Sequence, residues 1–153
     1  MSRRFSVPMP PVIVTLPQDL FQITCPNNKV LRILRRRIGA VDSILPTSQM
    51  LNLRERYLPS VANGTGGTAA NIAKTNQSDV AASFTALLNN TSKASSVTPI
   101  VLNQIPVHIY NGYDEKVDEP WEISPGAAYV FELLSTVSNT VTLSGSVLVE
   151  ELG

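Results

Sequence analysis

An all-β chain folded as an antiparallel β-sandwich of jelly-roll kind is what the sequence predicts, on three observations. Eleven prolines and eight glycines punctuate short apolar runs over 153 residues, a spacing typical of strands and turns. Apolar and polar residues alternate, most regularly in "TVTLSGSVLVEEL", where Val141, Leu143, Gly145, Val147 and Val149 fall on one face and Thr142, Ser144, Ser146, Leu148 and Glu150 on the other. Strong helix formers in helical register are scarce, which leaves a sandwich or jelly roll as the architecture. The length suits a single domain over 1–153, with an N-terminal arm at 1–11 and a Gly/Asn/Ser/Thr/Ala-rich loop region at 60–96.

Taken in order, "PVIVTLPQDLFQITCP" contains two apolar runs split by Pro17, Gln18 and Asp19, which reads as a strand pair with a turn. "NNKVLRILRRRIGAV" follows from an Asn27-Asn28 turn. As one strand it would set Leu31, Ile33, Arg35 and Arg37 opposite Val30, Arg32, Leu34 and Arg36, so it is expected to leave the core around Arg35. "SQMLNLRERYLP" alternates Leu51, Leu53, Glu55 and Tyr57 against Met50, Asn52, Arg54 and Arg56 as a strand would, with a helix as the alternative because Leu and Arg favour helices.

Residues 63–96 are poor in large apolar side chains and read as a long central loop excursion over the surface, of the kind that carries function. One short helix is a candidate within it, at "SDVAASFTALLNN", where Ser78 or Asp79 would cap and Val80, Phe84, Leu87 and Leu88 have helical spacing. Strands return in "VTPIVLNQIPVHIYNGY", whose Pro99 and Pro106 mark edges or bulges. An acidic turn, "DEKVDEPWEISPG", then precedes the last two strands, "AAYVFELLSTV" and "NTVTLSGSVLVEEL", with Gly145 expected at a bend or bulge.

The formal net charge is zero, yet residues 1–56 carry nine basic against three acidic groups and the remainder three against nine. Such asymmetry marks an oriented contact with a partner or another copy, unless the two halves interleave and neutralise one another.

Chemical motifs are sparse. His108 is the one histidine and Cys25 the one cysteine, too few for a zinc site, a disulfide or a catalytic triad with evident partners. Cys25 is expected to be buried in a chain folded in a reducing compartment. "DEKVDE" lacks the spacing of a calcium loop, and "NGTGGTAAN" lacks the Gly-Lys-Ser/Thr ending of a phosphate-binding loop. The expectation is a protein that is no enzyme and takes no metal or cofactor.

No secretory leader or membrane-spanning run is evident, so the sequons at Asn63, Asn76, Asn89 and Asn90 read as loop composition. The "RILRRRIG" cluster has no accompanying row of aromatics, which favours a protein contact over nucleic acid.

Two stretches carry a family resemblance: "FSVPMPPVIVTLPQDLFQITCPNNKVLRIL" at the start and "PWEISPGAAYVFELLSTVSNTVTLSGSVLVEEL" at the end. Phe5, Ser6, Asp19, Leu20, Phe21, Ile23, Pro26, Leu31, Arg32, Ile33, Trp121, Pro125, Gly126 and the run from Leu143 to Glu150 carry it. In these the chain resembles the cement, or decoration, proteins of tailed-bacteriophage heads.

The resemblance implies a jelly-roll sandwich, dimeric or trimeric, made in the host bacterial cytoplasm. It would bind the outside of the virion and clamp neighbouring subunits of the major capsid protein, with no nucleic-acid or membrane partner. The candidate contact residues, for capsid or self, are Arg3, Arg4, Arg35, Arg36, Arg37, Asn63, Gly64, Asn76 and Asn89. Two other classes compete: a receptor- or glycan-binding module of a tail or fibre, using Trp121, Tyr110 and Tyr113, and a small jelly-roll major capsid protein.

Overall fold

The structure, a computed structural model, describes residues 1–42 and 46–153. Among them lie eleven strands and no helix: β1 (Ser2–Val14), β2 (Gln18–Thr24), β3 (Val30–Ala40), β4 (Met50–Leu58), β5 (Thr68–Ala69), β6 (Ala73–Lys74), β7 (Thr85–Asn90), β8 (Ile100–His108), β9 (Tyr113–Ile123), β10 (Ala128–Leu133) and β11 (Val141–Leu152). Two antiparallel sheets, ordered β6-β1-β11-β3-β9 and β5-β7-β2-β10-β4-β8, make the predicted sandwich. The long strands β1, β2, β3 and β4 pair in nested order with β11, β10, β9 and β8. The chain is therefore one long hairpin rolled over itself so that successive pairs fall in opposite sheets, which is the jelly-roll arrangement.

The core lies between the sheets and follows the alternation in the sequence. Phe5, Val7, Leu143, Val147 and Val149 from one sheet meet Phe21, Ile23, Tyr129, Phe131 and Leu53 from the other. Phe21 and Phe131 stack at 6.4 Å, and Phe5 meets Phe84 edge-on at 5.6 Å. β11 sits between β1 and β3, with Ser2 opposite Leu152, so both ends of the chain are held in the sheet. Residues 1–11, expected as an arm, are mostly strand β1. Cys25 is buried as expected, and burial pushes its thiol up to about 11.

Three bulges correct the simple two-residue reading. Pro10 and Pro11 together stand opposite Ser144 alone, so the inward set of β1 changes from Phe5, Val7 and Met9 to Val12 and Val14. The bend expected at Gly145 is thus made by its partner strand. Gly145 serves a close approach, since an added Cβ would lie 2.1 Å from the Arg37 carbonyl oxygen. In β2, Leu20 is the extra residue, which turns Leu20 and Phe21 both into the core and sends Asp19 to the outer face.

The third bulge, at Leu34, moves Arg36 and Ile38 into the inward phase. β3 therefore does not leave the core around Arg35. It stays in it to Ile38.

The "VTLPQDLF" segment is likewise no hairpin: β1 and β2 lie in opposite sheets, joined by a three-residue crossover. Residues 60–96 are more ordered than a surface excursion. The candidate helix is absent, because Phe84, Ala86 and Leu88 alternate into the core and β7 ladders onto β2 (Phe21 opposite Leu88, Ile23 opposite Ala86). That ladder overrides the helical spacing, and Val80 is left exposed. The segment runs from β5 on one sheet to β6 on the other and back to β7, closing the side of the sandwich. Its two limbs join in a ribbon through Ala62–Ser95 and Thr65–Ser92 bridges.

Two outcomes test this architecture by urea unfolding and circular dichroism. Deleting 141–153 removes a strand flanked on both sides and should abolish folding. Gly145→Ala should cost about 1–3 kcal/mol, because the Arg37 carbonyl it meets is held in the ladder.

Candidate interaction surface

The Leu34 bulge decides what becomes of the arginine cluster. Arg36 points between the sheets, 1% exposed, and its guanidinium clasps Glu55 of β4 with Nε 2.6 Å from Oε1 and Nη2 2.9 Å from Oε2. Tyr129 donates its hydroxyl to the same carboxylate, and Asn103 donates to Oε2 at 3.3 Å. Burial beside Glu55 holds the Tyr129 phenol well above its ordinary value.

Arg35 and Arg37 face out on β3 and share Asp114 of β9, Arg35 through two 2.8 Å hydrogen bonds and Arg37 at 3.2 Å. The Arg35 bond, helped by Arg37, lowers the Asp114 carboxyl to about 2.

The other expected contact residues are also engaged within the chain. Arg3 pairs with buried Glu151, which also accepts from the Ser83 amide at 2.9 Å. Arg4 approaches Glu150 at 3.4 Å, and the Ser2 hydroxyl, together with Arg4 and Arg32, holds that carboxyl low. Asn63 accepts from the Gln22 side-chain amide at 2.7 Å, and the buried Gly64 amide donates to the Gln22 oxygen at 3.0 Å. Asn76 closes a local turn onto Ser78, and Asn89, at φ 58°, accepts from Gln18 at 3.4 Å.

All eight arginines are thus ion-paired inside the chain, and nine of the twelve ion pairs among the described residues join the basic first part to the acidic remainder. The charge asymmetry is resolved by interleaving of the two parts.

A second charged cluster lies on the outer face of the β2-β10-β4 sheet, beneath the 60–67 and 91–96 ribbon. Glu132 takes Arg54, Arg56 at 3.1 Å and Lys93 at 3.0 Å, while Asp19 accepts from the Ala94 amide at 2.6 Å and from Arg56 at 3.4 Å. Burial raises the Asp19 carboxyl despite those donors. Nothing in the composition of this ribbon signals that it covers charge. The Leu20 bulge, which turns Asp19 outward, is the cause.

The free sheet edges are blunted. The Arg4 carbonyl accepts from the Thr75 amide on the β6 side, so even-numbered positions of β1 face outward up to Pro8, which has no N–H to offer. The Asn52 carbonyl accepts from Leu134, away from β8; Pro106, opposite Asn52, therefore turns its nitrogen to solvent. β9 bulges by residues 117–120 against Leu34 alone, and it carries Asp118, Glu119 and Pro120 there. Prolines, bulges and edge charges oppose strand addition.

Exposed apolar residues gather in two places: Val97, Ile100 and Val101 where β8 begins, and a larger set at the opposite end of the sandwich. Exposed Ile13, Leu16, Val41, Met50 and Tyr110 all fall at the end formed by the close of β1 and β3 and the start of β4. The described connecting residues there, 15–17, 41–42, 46–49, 109–112 and 134–140, hold a single charge, Asp42, whose carboxylate is occupied by the Thr142 amide at 3.0 Å. A cavity of about 480 Å³ opens beside Tyr110, lined also by Arg37, Asp42 and Asn111. Strand alternation could have flagged Ile13 and Met50 as apolar residues out of phase. It could not say that they share an end.

His108 closes β8, with its Nε2 3.0 Å from the Ser48 hydroxyl and its Nδ1 accepting from the Tyr110 amide at 3.3 Å. In the tautomer with its hydrogen on Nε2, the ring donates to the Ser48 hydroxyl while Nδ1 accepts from the Tyr110 amide. Trp121 packs against the core with its indole nitrogen buried, and Tyr113 turns its ring towards Phe131.

No family model matches the chain, and no curated protein or solved structure is significantly similar to it.

Two measurements test this charge arrangement. Glu55→Ala strands the Arg36 charge and should cost about 3–5 kcal/mol in urea unfolding, whereas Arg36→Met with Glu55→Leu should recover most of it. Because Asp114 is depressed from 3.8 to about 2, its ionised form favours the fold above 3.8 and that contribution fades as pH falls towards 2. Asp19, with a raised value, works in the opposite sense and gains as it protonates. Asp114→Asn should therefore flatten the fall of Tm between pH 4 and about 2.

Proposed function

We propose that this chain is a structural virion protein that binds the outside of a phage capsid and stabilises the head by bridging neighbouring subunits of the major capsid protein. The two resembling stretches support this reading, since they form β1, β2 and the start of β3 together with β10, β11 and the end of β9. The observation that carries it is the apolar end around Leu16, Met50 and Tyr110, whose connecting residues hold only the charge of Asp42, on a module whose arginines are all paired within the chain.

A molecule of this kind offers a rigid body and one sticky end, without reactive chemistry. Binding only the assembled shell stabilises that shell by mass action, and many modest contacts add over a lattice. A homo-oligomer, dimer or trimer, would span more than one capsid subunit.

A second reading, a glycan- or receptor-binding module of a tail or fibre, rests on the cavity beside Tyr110, where Asn111, Asp42 and Arg37 also converge. Of the aromatics it would use, Tyr113 and Trp121 pack towards the core.

Leu16→Asp with Met50→Asp should abolish binding to expanded capsids while the far-ultraviolet spectrum and unfolding midpoint stay near those of the parent. Electron microscopy of particles with and without the protein should differ by density on the outer lattice. Particles without such a difference, or density only at the tail, would replace the proposal with the second reading.

A further inference from the structure

The chain holds two Asn-Gly pairs, Asn63-Gly64 and Asn111-Gly112, in opposite physical states. Asn-Gly is the dipeptide most prone to succinimide chemistry, because glycine has no side chain to hinder its own nitrogen. The reaction needs a free amide nitrogen on the glycine and an asparagine side chain free to swing over it.

At Asn63 both are tied down. The Gln22 side chain donates to Asn63 Oδ1 at 2.7 Å and accepts from the Gly64 amide at 3.0 Å, while Asn90 donates to the same Gln22 oxygen at 3.0 Å. Gln22 is itself 1% exposed, so the lock is buried.

At Asn111 neither is. Asn111 is exposed in the turn that carries the chain from β8 in one sheet to β9 in the other. Its main-chain amide donates to the His108 carbonyl at 2.9 Å, but its side chain and the Gly112 amide have no hydrogen-bond partner among the described residues.

We infer that Asn111 is a site of spontaneous deamidation and that Asn63, with the same dipeptide, is protected by Gln22. The deprotonated Gly112 nitrogen attacks Asn111 Cγ; the Cγ–Nδ2 bond breaks and ammonia leaves. Water then opens the succinimide at either carbonyl, giving aspartate or isoaspartate. No oxidant, reductant or enzyme is required.

The product matters at this position. A new carboxylate appears at the cavity where Asp42 and Asp114 already lie, and the isoaspartyl form adds a methylene to the main chain just before Gly112. Gly112, at φ 61°, packs so tightly that even a Cβ would come within 2.8 Å of the Ile38 carbonyl oxygen. Ageing should therefore loosen the start of β9, where Asp114 holds Arg35 and Arg37.

The test is incubation of the full chain at mildly alkaline pH, folded and in concentrated urea, followed by peptide mapping with isoaspartate detection. In urea both sites should convert. In the folded protein the amide-to-acid mass gain should appear at Asn111 while Asn63 stays intact, and hydrogen exchange should rise at the start of β9 in step with it. An intact Asn111 in the folded protein overturns the inference, as does conversion of Asn63 at the rate of Asn111 in the fold.

Discussion

Because β1, β2, β3 and β4 pair in nested order with β11, β10, β9 and β8, each position of the first arm is committed to one partner far along the chain, from Ser2 with Leu152 inward to Tyr57 with Ile100. Nesting brings the basic beginning against the acidic end. Arg3, Arg4 and Arg32 then find Glu151, Glu150 and Glu122, and Arg35 and Arg37 find Asp114, without leaving their own sheet. A chain with an uneven charge distribution thereby folds into a body with little free charge. Almost nothing in such a topology is local, so loop closure must precede most of the stabilising contacts, and folding is expected to be slow.

Within that frame, single extra residues decide where charges go. The bulge at Leu34 sends Arg36 between the sheets, and the bulge at Leu20 sends Asp19 outward to Arg56. A one-residue change of phase exchanges the two faces of a strand, so its cost or benefit is set by what covers the face each residue then meets. For Arg36 that is Glu55 and Tyr129, and for Asp19 the Ala94 amide. The buried Arg36–Glu55 pair gains little net stability over an apolar pair of similar volume, but a slipped register would leave both charges uncompensated.

The same economy shapes the surface. With the arginines paired within the chain, four of them on the surface, and the long edges interrupted by Pro8, Pro106 and the 117–120 bulge, strand addition is not the evident means of contact. The apolar end around Leu16, Met50 and Tyr110, opposite Ser2 and Leu152, exposes more large apolar side chains than the start of β8 with Val97, Ile100 and Val101.

The class of fold, the faces of β4 and β11 and the burial of Cys25 can be read from the residues, because a two-residue side-chain period and a small apolar thiol are local properties that each segment carries wherever it pairs. The residues expected to form a contact were legible as charged or loop-like, but their partners were not. Arg36 reads as surface charge until the Leu34 bulge turns it inward, and Asn63 reads as loop until Gln22 claims it. The candidate helix in 78–90 failed for a related reason, since the ladder onto β2 outweighs local spacing. Bulge phase, ion-pair choice and which apolar residues share an end cannot be read locally, because each depends on strands far apart in the chain that meet when the roll closes.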